Sequence, residues 1–306
     1  MPELPEVEWG RRLALATALG RRIERVKVAA DPIVFAGLSP RRLARALEGA
    51  TVIGAHRLGK YLWLELDRTP HVVLHLGMTG GLHTPTRRFL PLASGIKEPL
   101  TRWPPRFSKL QMIFGETLNR KIRGGDEGEE GDEGDEGDER DIGARHQLVL
   151  ADARRLARVR LVDAPLEVPP LSRLGPDLLN ERLSFAAFAE RLFRRRGMVK
   201  GVLLDQAFLA GAGNWIADEV LYQSRLDPRR PVQTLSREET KRLYAKLYRV
   251  VSFAVSVQAD KTRFPKSWLF HRRWGRVDGA VTSNGQAIEH IVVAGRSTAF
   301  VPSVQR

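Results

Sequence analysis

The chain has 306 residues, 42% of them hydrophobic, which is enough for one large domain or two and excludes global disorder. It contains no run of 18 apolar residues and no cysteine, so a membrane-spanning helix, disulfides, thiol nucleophiles and cysteine-held zinc or iron–sulfur centres are excluded. Lys and Arg number 50 against 36 acids for a net +14, and residues 126–141 alone contribute −10, leaving +24 elsewhere; a body that basic points to a polyanion, nucleic acid first.

The amino terminus, MPELPEVEWG, has acids and prolines where a secretory signal needs bases and an apolar core, so a cytoplasmic location is expected. Leu4, Val7, Leu13, Leu15 and Leu19 predict a helix over residues 3–19, closed by Gly20. From Thr51 the period changes. Tyr61–Leu66 and His71–Leu76 predict two strands joined across Asp67-Arg68-Thr69-Pro70, with further strands at Lys109–Phe114, Gln147–Leu150 and Arg158–Val162.

Between two of these strands lies a Gly-Asp-Glu repetition with nothing apolar to bury, so residues 120–144 are read as a disordered acidic hairpin loop. With eleven acids it could compete with phosphate for a basic cleft. The plainer expectation is a solvated insertion, screened beyond a Debye length of ~8 Å. Pro165, Pro169, Pro170 and Pro176 mark a linker around 164–177. Helices are predicted at Leu183–Arg195, Val199–Leu209, Trp215–Ser224 and Ser236–Ala259. Strand character returns near Val281, Ile288–Val293 and Ala299–Val301, flanking the turn signals Asn284-Gly285 and Gly295-Arg296.

One chemical signal stands at the start of the chain. Removing Met1 would expose Pro2 as a secondary amine, and an α-amino group titrates near pH ~8, so part of it is nucleophilic at neutrality. Such an amine can attack a sugar C1′, with Glu3 beside it as proton donor. Proline at position 2 is common, however, and carries no meaning alone.

The context supplies the meaning. MPELPEVE, HRLGKYLWLEL, HLGMTG, GAGNWIADEVLY and GRSTAF, in that order from residue 1 to about 305, resemble the formamidopyrimidine-DNA glycosylase/endonuclease VIII family of base-excision repair enzymes. The resemblance implies an α+β protein. Residues 1–165 would form an amino-terminal helix plus an antiparallel β-sandwich, and 172–265 a helix–two-turn–helix DNA-binding domain. Residues 268–306 would form a β-hairpin finger. The implied activity is a bifunctional DNA glycosylase and AP lyase, a monomer of the bacterial, nucleoid-associated type acting on damaged double-stranded DNA.

The same resemblance assigns residues. Pro2 would be the Schiff-base nucleophile, Glu3 the acid, and Glu6 a supporting carboxylate on the first helix. Lys60, otherwise an ordinary solvated strand lysine, would contact phosphate and move protons during elimination. Asn214 and Arg296 would grip the phosphates around the lesion, with glycines of GAGNW admitting the backbone, and Arg195 and Lys200 would lead into that grip. Met78, otherwise a core methionine, would be the wedge that fills the space of an extruded base, with Arg154 facing the orphaned base and Leu156 beside them. Leu156 departs from the family's phenylalanine.

The finger departs further. A typical member holds zinc with two C-x2-C pairs sixteen residues apart; aligning WGR and GRST puts Val281, Asn284, Val301 and Val304 at those positions. Valine cannot ligate zinc, and His271 and His290 do not rebuild a tetrahedral set. A zincless finger without cofactor is therefore expected, held by Val281, Ile288, Val292, Phe300 and Val301. Gln258–Phe270 is short for a lesion-capping loop, which favours ring-opened purines or hydantoins over 8-oxoguanine. Two other readings stay open: an endonuclease-VIII-like preference for oxidised pyrimidines or hydantoins, and a non-catalytic damaged-DNA-binding protein.

Overall fold

The structure, a computed structural model, describes residues 2–86, 102–117, 146–275 and 279–306. The acidic insertion expected at 120–144 lies outside the described residues. The chain divides into two compact units: residues 1–2, 7–57 and 61–168 form the first, and residues 3–6, 58–60 and 169–306 the second.

The first unit is built from helix α1 (Leu4–Ala18), strand β1 (Arg21–Val28), helix α2 (Pro40–Leu47) and strands β2 (Val52–Leu58), β3 (Tyr61–Leu66), β4 (His71–His75), β5 (Gly81–His83), β6 (Ser108–Thr117), β7 (Gln147–Ala151) and β8 (Arg158–Val162). They make two four-stranded sheets, ordered β1-β6-β7-β5 and β2-β3-β4-β8. The determined pairings are antiparallel, as in Tyr61 opposite His75 and Met112 opposite Leu148. Ile23, Leu110 and Phe114 of one sheet share a buried cluster with Leu62, Leu64 and Val72 of the other. That shared core is the expected sandwich, with α1 and α2 contributing Leu13, Leu43 and Leu47 to it. β6 and β7, which flank the acidic tract in sequence, pair directly.

The second unit is mainly helical: α3 (Phe185–Phe193), α4 (Val199–Leu204), α5 (Asn214–Ser224) and α6 (Arg237–Ser256), followed by strands β9 (Glu289–Val293) and β10 (Arg296–Phe300). Ser236 and Glu239 close a reciprocal capping box at the start of α6, which is why that helix begins where it does. β9 and β10 pair with Arg296 opposite Val293, leaving a two-residue loop. Ala294 and Gly295 both take positive φ there, 50° and 71°, the twist a tight hairpin needs. No helix among the described residues is long and apolar enough to cross a membrane.

The finger is held differently from the sequence expectation. Ile288, Ala299 and Val301 pack with Leu269, and Val304 lies against them. Val292 is 69% exposed and Val281 39%, so neither supplies the grip expected of it. Val292 lies on the solvent face of a two-stranded ribbon whose other face alone meets a core.

Glu219 of α5 is fully buried, accepting hydrogen bonds from the Phe270 backbone N–H and Gln223 Nε2, both at 2.8 Å. Burial raises its carboxyl to about 7, against partial opposition from these donors and Arg273. The folded chain therefore holds this proton more tightly than the unfolded chain. The stability contributed by this group is fully present below pH ~4.5, falls as pH rises towards 7, and is lost above it, by on the order of 3 kcal/mol. Glu219→Gln is expected to raise the melting temperature at pH 8 and leave it unchanged at pH 4.5; thermal melts at the two pH values check this.

Candidate active site

The site in the second unit is organised by the amino terminus of α5. That helix starts after Gly213 with no side-chain cap of its own, so its first N–H groups need an acceptor. Glu3 supplies it. Its carboxylate accepts from the backbone N–H of Gly213 at 2.7 Å, Trp215 at 2.8 Å and Ile216 at 3.2 Å, and the residue is 1% exposed.

Two glycines make room for this arrangement. A Cβ on Gly213 would lie 2.3 Å from Glu3 Cδ, and one on Gly211, whose φ is +119°, would lie 2.4 Å from Leu4 Cδ1. Leu4 N–H also donates to the Gly211 carbonyl at 3.1 Å. The glycines of GAGNW thus accommodate the chain's own amino-terminal segment, where the sequence suggested an approaching phosphate. Burial raises the Glu3 carboxyl above the usual carboxylate range, offset in part by Lys60, by the Trp215 and Ile216 N–H groups and by Arg273. A carboxyl held this way can carry a proton closer to neutrality than a surface glutamate can.

Glu6 sits in the first turn of α1, and its Oε2 accepts from Glu3 N–H at 2.8 Å, half of a capping box that fixes Glu3. Glu6 Oε1 is buried with no partner among the described residues, and burial, then the neighbouring charge of Glu3, pushes this carboxyl up to about 7.

Lys60 follows Gly59 in the turn between β2 and β3, where Gly59 takes a φ of +58°. Gly59 N–H donates to Asp177 Oδ2 at 2.7 Å, and Asp177, fully buried, also accepts from Leu179 and Asn180 N–H at 3.0 Å. Lys60 is 8% exposed and its ammonium makes no hydrogen bond among the described residues. Burial lowers it from the usual lysine value and Arg296 repels it, while Glu3 and Glu6 act in the opposite direction. Lys60 is therefore within electrostatic reach of Glu3, Glu6 and Arg296.

Arg296 opens β10, directly after the hairpin turn, and its exposed guanidinium has no partner among the described residues. Asn214, the first residue of α5, donates from Nδ2 to the Ser297 carbonyl at 2.8 Å, and its Oδ1 has no partner among the described residues. Asn214 is thus tied to the residue that follows Arg296 on β10. Pro2, bonded to Glu3, is buried.

Lys200 requires a correction. It is fully buried, with its ammonium on Asp218 Oδ1 at 2.6 Å and on Thr298 Oγ1 at 2.5 Å, so it does not present a charge to an incoming phosphate. Arg195 is half-buried and pairs with Asp205 at 3.1 Å, and Arg194 pairs with Glu190. Arg196 alone of that triplet is exposed without an acidic partner among the described residues.

In the first unit, Asp152 organises the loops that carry the expected wedge residues. Its Oδ2 accepts from Leu156 and Ala157 N–H, both at 2.7 Å, and its Oδ1 accepts from Arg154 N–H at 3.2 Å and Thr79 Oγ1 at 2.6 Å. A Cβ on Gly77 would lie 2.4 Å from the Leu156 carbonyl carbon, so the Met78 loop packs directly on the Leu156 loop. Met78 is 37% exposed, Arg154 is exposed and Leu156 is half-buried. Met78, Arg154 and Leu156 are thereby grouped.

No group of three or more His, Cys, Asp or Glu side chains among the described residues could hold a metal. Of the four finger positions, Val301 is fully buried in the hairpin core, Val304 packs against it, and Asn284 donates its N–H to Thr282 Oγ1 at 3.3 Å. Three valines and one asparagine do not fit a zinc ion.

Comparison with known proteins adds relatives to this geometry. Residues 1–159 match the formamidopyrimidine-DNA glycosylase N-terminal domain, and residues 174–266 match the formamidopyrimidine-DNA glycosylase H2TH domain. A formamidopyrimidine-DNA glycosylase of Arabidopsis thaliana is 37% identical across the whole chain, which spans 71% of that relative. The crystal structure of the MutM (Fpg) protein from Thermus thermophilus is 31% identical with a TM-score of 0.69, covering 99% of this chain and 98% of that one. A complex between the Lactococcus lactis Fpg and an abasic site containing DNA is 25% identical over the full length of both chains, with a TM-score of 0.72.

Proposed function

The chain belongs to the formamidopyrimidine-DNA glycosylase family, and from that premise we propose that it is a bifunctional DNA glycosylase and AP lyase of base-excision repair, working as a monomer on oxidised purines in duplex DNA. The observation that carries this reading is the buried carboxyl of Glu3, the residue bonded to Pro2, seated on the N-terminus of α5 and within electrostatic reach of Lys60, which Arg296 in turn repels. Pure DNA binding needs no such acid.

With Met1 removed, the Pro2 nitrogen attacks C1′ of the damaged nucleotide and the bond from C1′ to the base breaks. The base leaves with the electron pair of that bond and takes up a proton. Opening of the sugar ring, with Glu3 protonating its oxygen, gives an iminium between Pro2 and C1′. This electron sink acidifies C2′; loss of its proton expels the 3′ phosphate, and a further elimination expels the 5′ phosphate. Lys60, depressed by burial, takes and returns protons, while Arg296 and Asn214 hold the phosphates. Met78, Arg154 and Leu156 fill the place of the extruded nucleotide.

The segment after α6 bears on specificity. Between residues 258 and 270, buried Phe264 and Phe270 pack on Trp215 with ring centroids 5.7 and 5.2 Å away, and buried Trp268 packs on Phe264 at 5.0 Å. These packed aromatics leave no long loop to cap a base. That favours formamidopyrimidines and hydantoins over 8-oxoguanine.

A panel of single lesions in defined duplexes, scoring base release and strand nicking separately, tests the function. Nicking is expected to leave a gap with phosphate at both ends; a 3′ unsaturated aldehyde as the only end product would refute the second elimination. The finger is expected to work without metal. Elemental analysis should give far less than one zinc per chain, and a chelator should leave activity unchanged; stoichiometric zinc would contradict the assignment of residues 281–304.

A further inference from the structure

We propose that Asp218, Lys200, Arg273 and Thr298 form a buried positioning network that aims the Arg296 guanidinium and the Asn214 amide, an inference that rests on the role given to Arg296 above. Asp218 is the centre and is 1% exposed. Its Oδ1 accepts from Lys200 Nζ at 2.6 Å. Its Oδ2 accepts from Arg273 Nη2 at 2.6 Å and from the Ala299 backbone N–H at 3.1 Å.

From this centre two chains of hydrogen bonds reach the phosphate-holding residues. Lys200 Nζ also donates to Thr298 Oγ1 at 2.5 Å, and the Thr298 hydroxyl donates onward to the carbonyl of Arg296 itself at 3.0 Å. Lys200 Nζ and Asn214 Nδ2 share the Ser297 carbonyl, at 3.3 and 2.8 Å, while Arg273 Nη2 reaches the Asn214 carbonyl at 3.4 Å. The Ala299 N–H is thus tied to the Asp218 carboxylate directly, the Ser297 carbonyl through Lys200, and the Arg296 carbonyl through Lys200 and Thr298.

Stability alone is a poor reason for such a cluster. Desolvating two cations and a carboxylate costs about what their attraction returns, and apolar side chains of similar volume would pack as well. Its geometric effect is more distinctive. Val293, opposite Arg296, is buried and anchors the hairpin backbone, but Arg296 itself and Ala294 and Gly295 beside it are exposed, so no packing surrounds the Arg296 side chain. The network fixes the three residues that follow it, and a small misplacement of a phosphate-holding group costs much rate.

The test uses Thr298, which is 1% exposed and holds the link with a single hydroxyl. Thr298→Val is isosteric and removes both of its bonds; Thr298→Ser keeps them. Single-turnover strand nicking is measured for both, for Arg296→Ala and for Thr298→Val/Arg296→Ala, with thermal melts alongside. Thr298→Val is expected to lose about tenfold in nicking, Thr298→Ser to retain activity, and Thr298→Val to add nothing once Arg296 is absent. Should Thr298→Val melt before assay, Lys200→Met, which leaves Asp218 paired to Arg273, replaces it in the same cycle. Equal losses in both backgrounds, or no loss in either, would overturn the network. Full activity of Arg296→Ala would instead overturn the role of Arg296, a distinct failure.

Discussion

Glu3→Gln is expected to slow base release by about a thousandfold while changing affinity for a duplex with an uncleavable abasic analogue by less than about threefold. The amide keeps the size of the side chain and one acceptor for the N–H groups of Trp215 and its neighbours. It cannot carry the proton that burial helps the carboxyl retain. It also withdraws negative charge from the amino terminus of α5, at a stability cost of about 1 kcal/mol. That cost is too small to unfold the site, so catalysis and binding should separate. Single-turnover excision and equilibrium titration of the same protein decide the matter: parallel loss of both would point to a folding role for Glu3.

Much of this fold is readable from local pattern. Tyr61–Leu66 and His71–His75 form strands that pair as the residues between them suggest. α5 and α6 fall close to their predicted spans. β1 escapes because its buried residues, Ile23 and Val26, are three apart, and the register shifts between Arg21 and Arg25 explain why. α2 escapes despite a legible start, Ser39 capping Arg42 N–H with Pro40 in the first turn.

Within the site, the residues that touch substrate in the proposed mechanism carry family motifs and were readable. Those that hold them were not. Asp177 acts on Gly59 from 118 residues away and Asp152 on Thr79 from 73, and neither partner leaves a local trace. Lys200 shows the converse error. It stands beside Arg194-Arg195-Arg196 and shares their apparent exposure in sequence, but its partner Asp218 lies on a different helix and takes it inside. A helical Asn-Trp-Ile-Ala-Asp face with an aspartate four residues after Asn214 was the available signal.

The second large effect concerns Pro2. If its nitrogen is the nucleophile, acylating it or leaving Met1 in place removes the secondary amine and should abolish both base release and nicking. Damaged-DNA binding should survive, because Arg296, Asn214 and Met78 are untouched. Lys60 is the nearest competing amine by chemistry, depressed by burial and beside Glu3, so it is the nucleophile the alternative would choose. The two can be told apart directly. Borohydride reduction during turnover on a lesion-containing duplex, followed by peptide mapping of the adduct, should place the DNA on Pro2 in processed protein and yield no adduct when that amine is blocked. An adduct on Lys60, formed equally well with Pro2 blocked, would contradict the account.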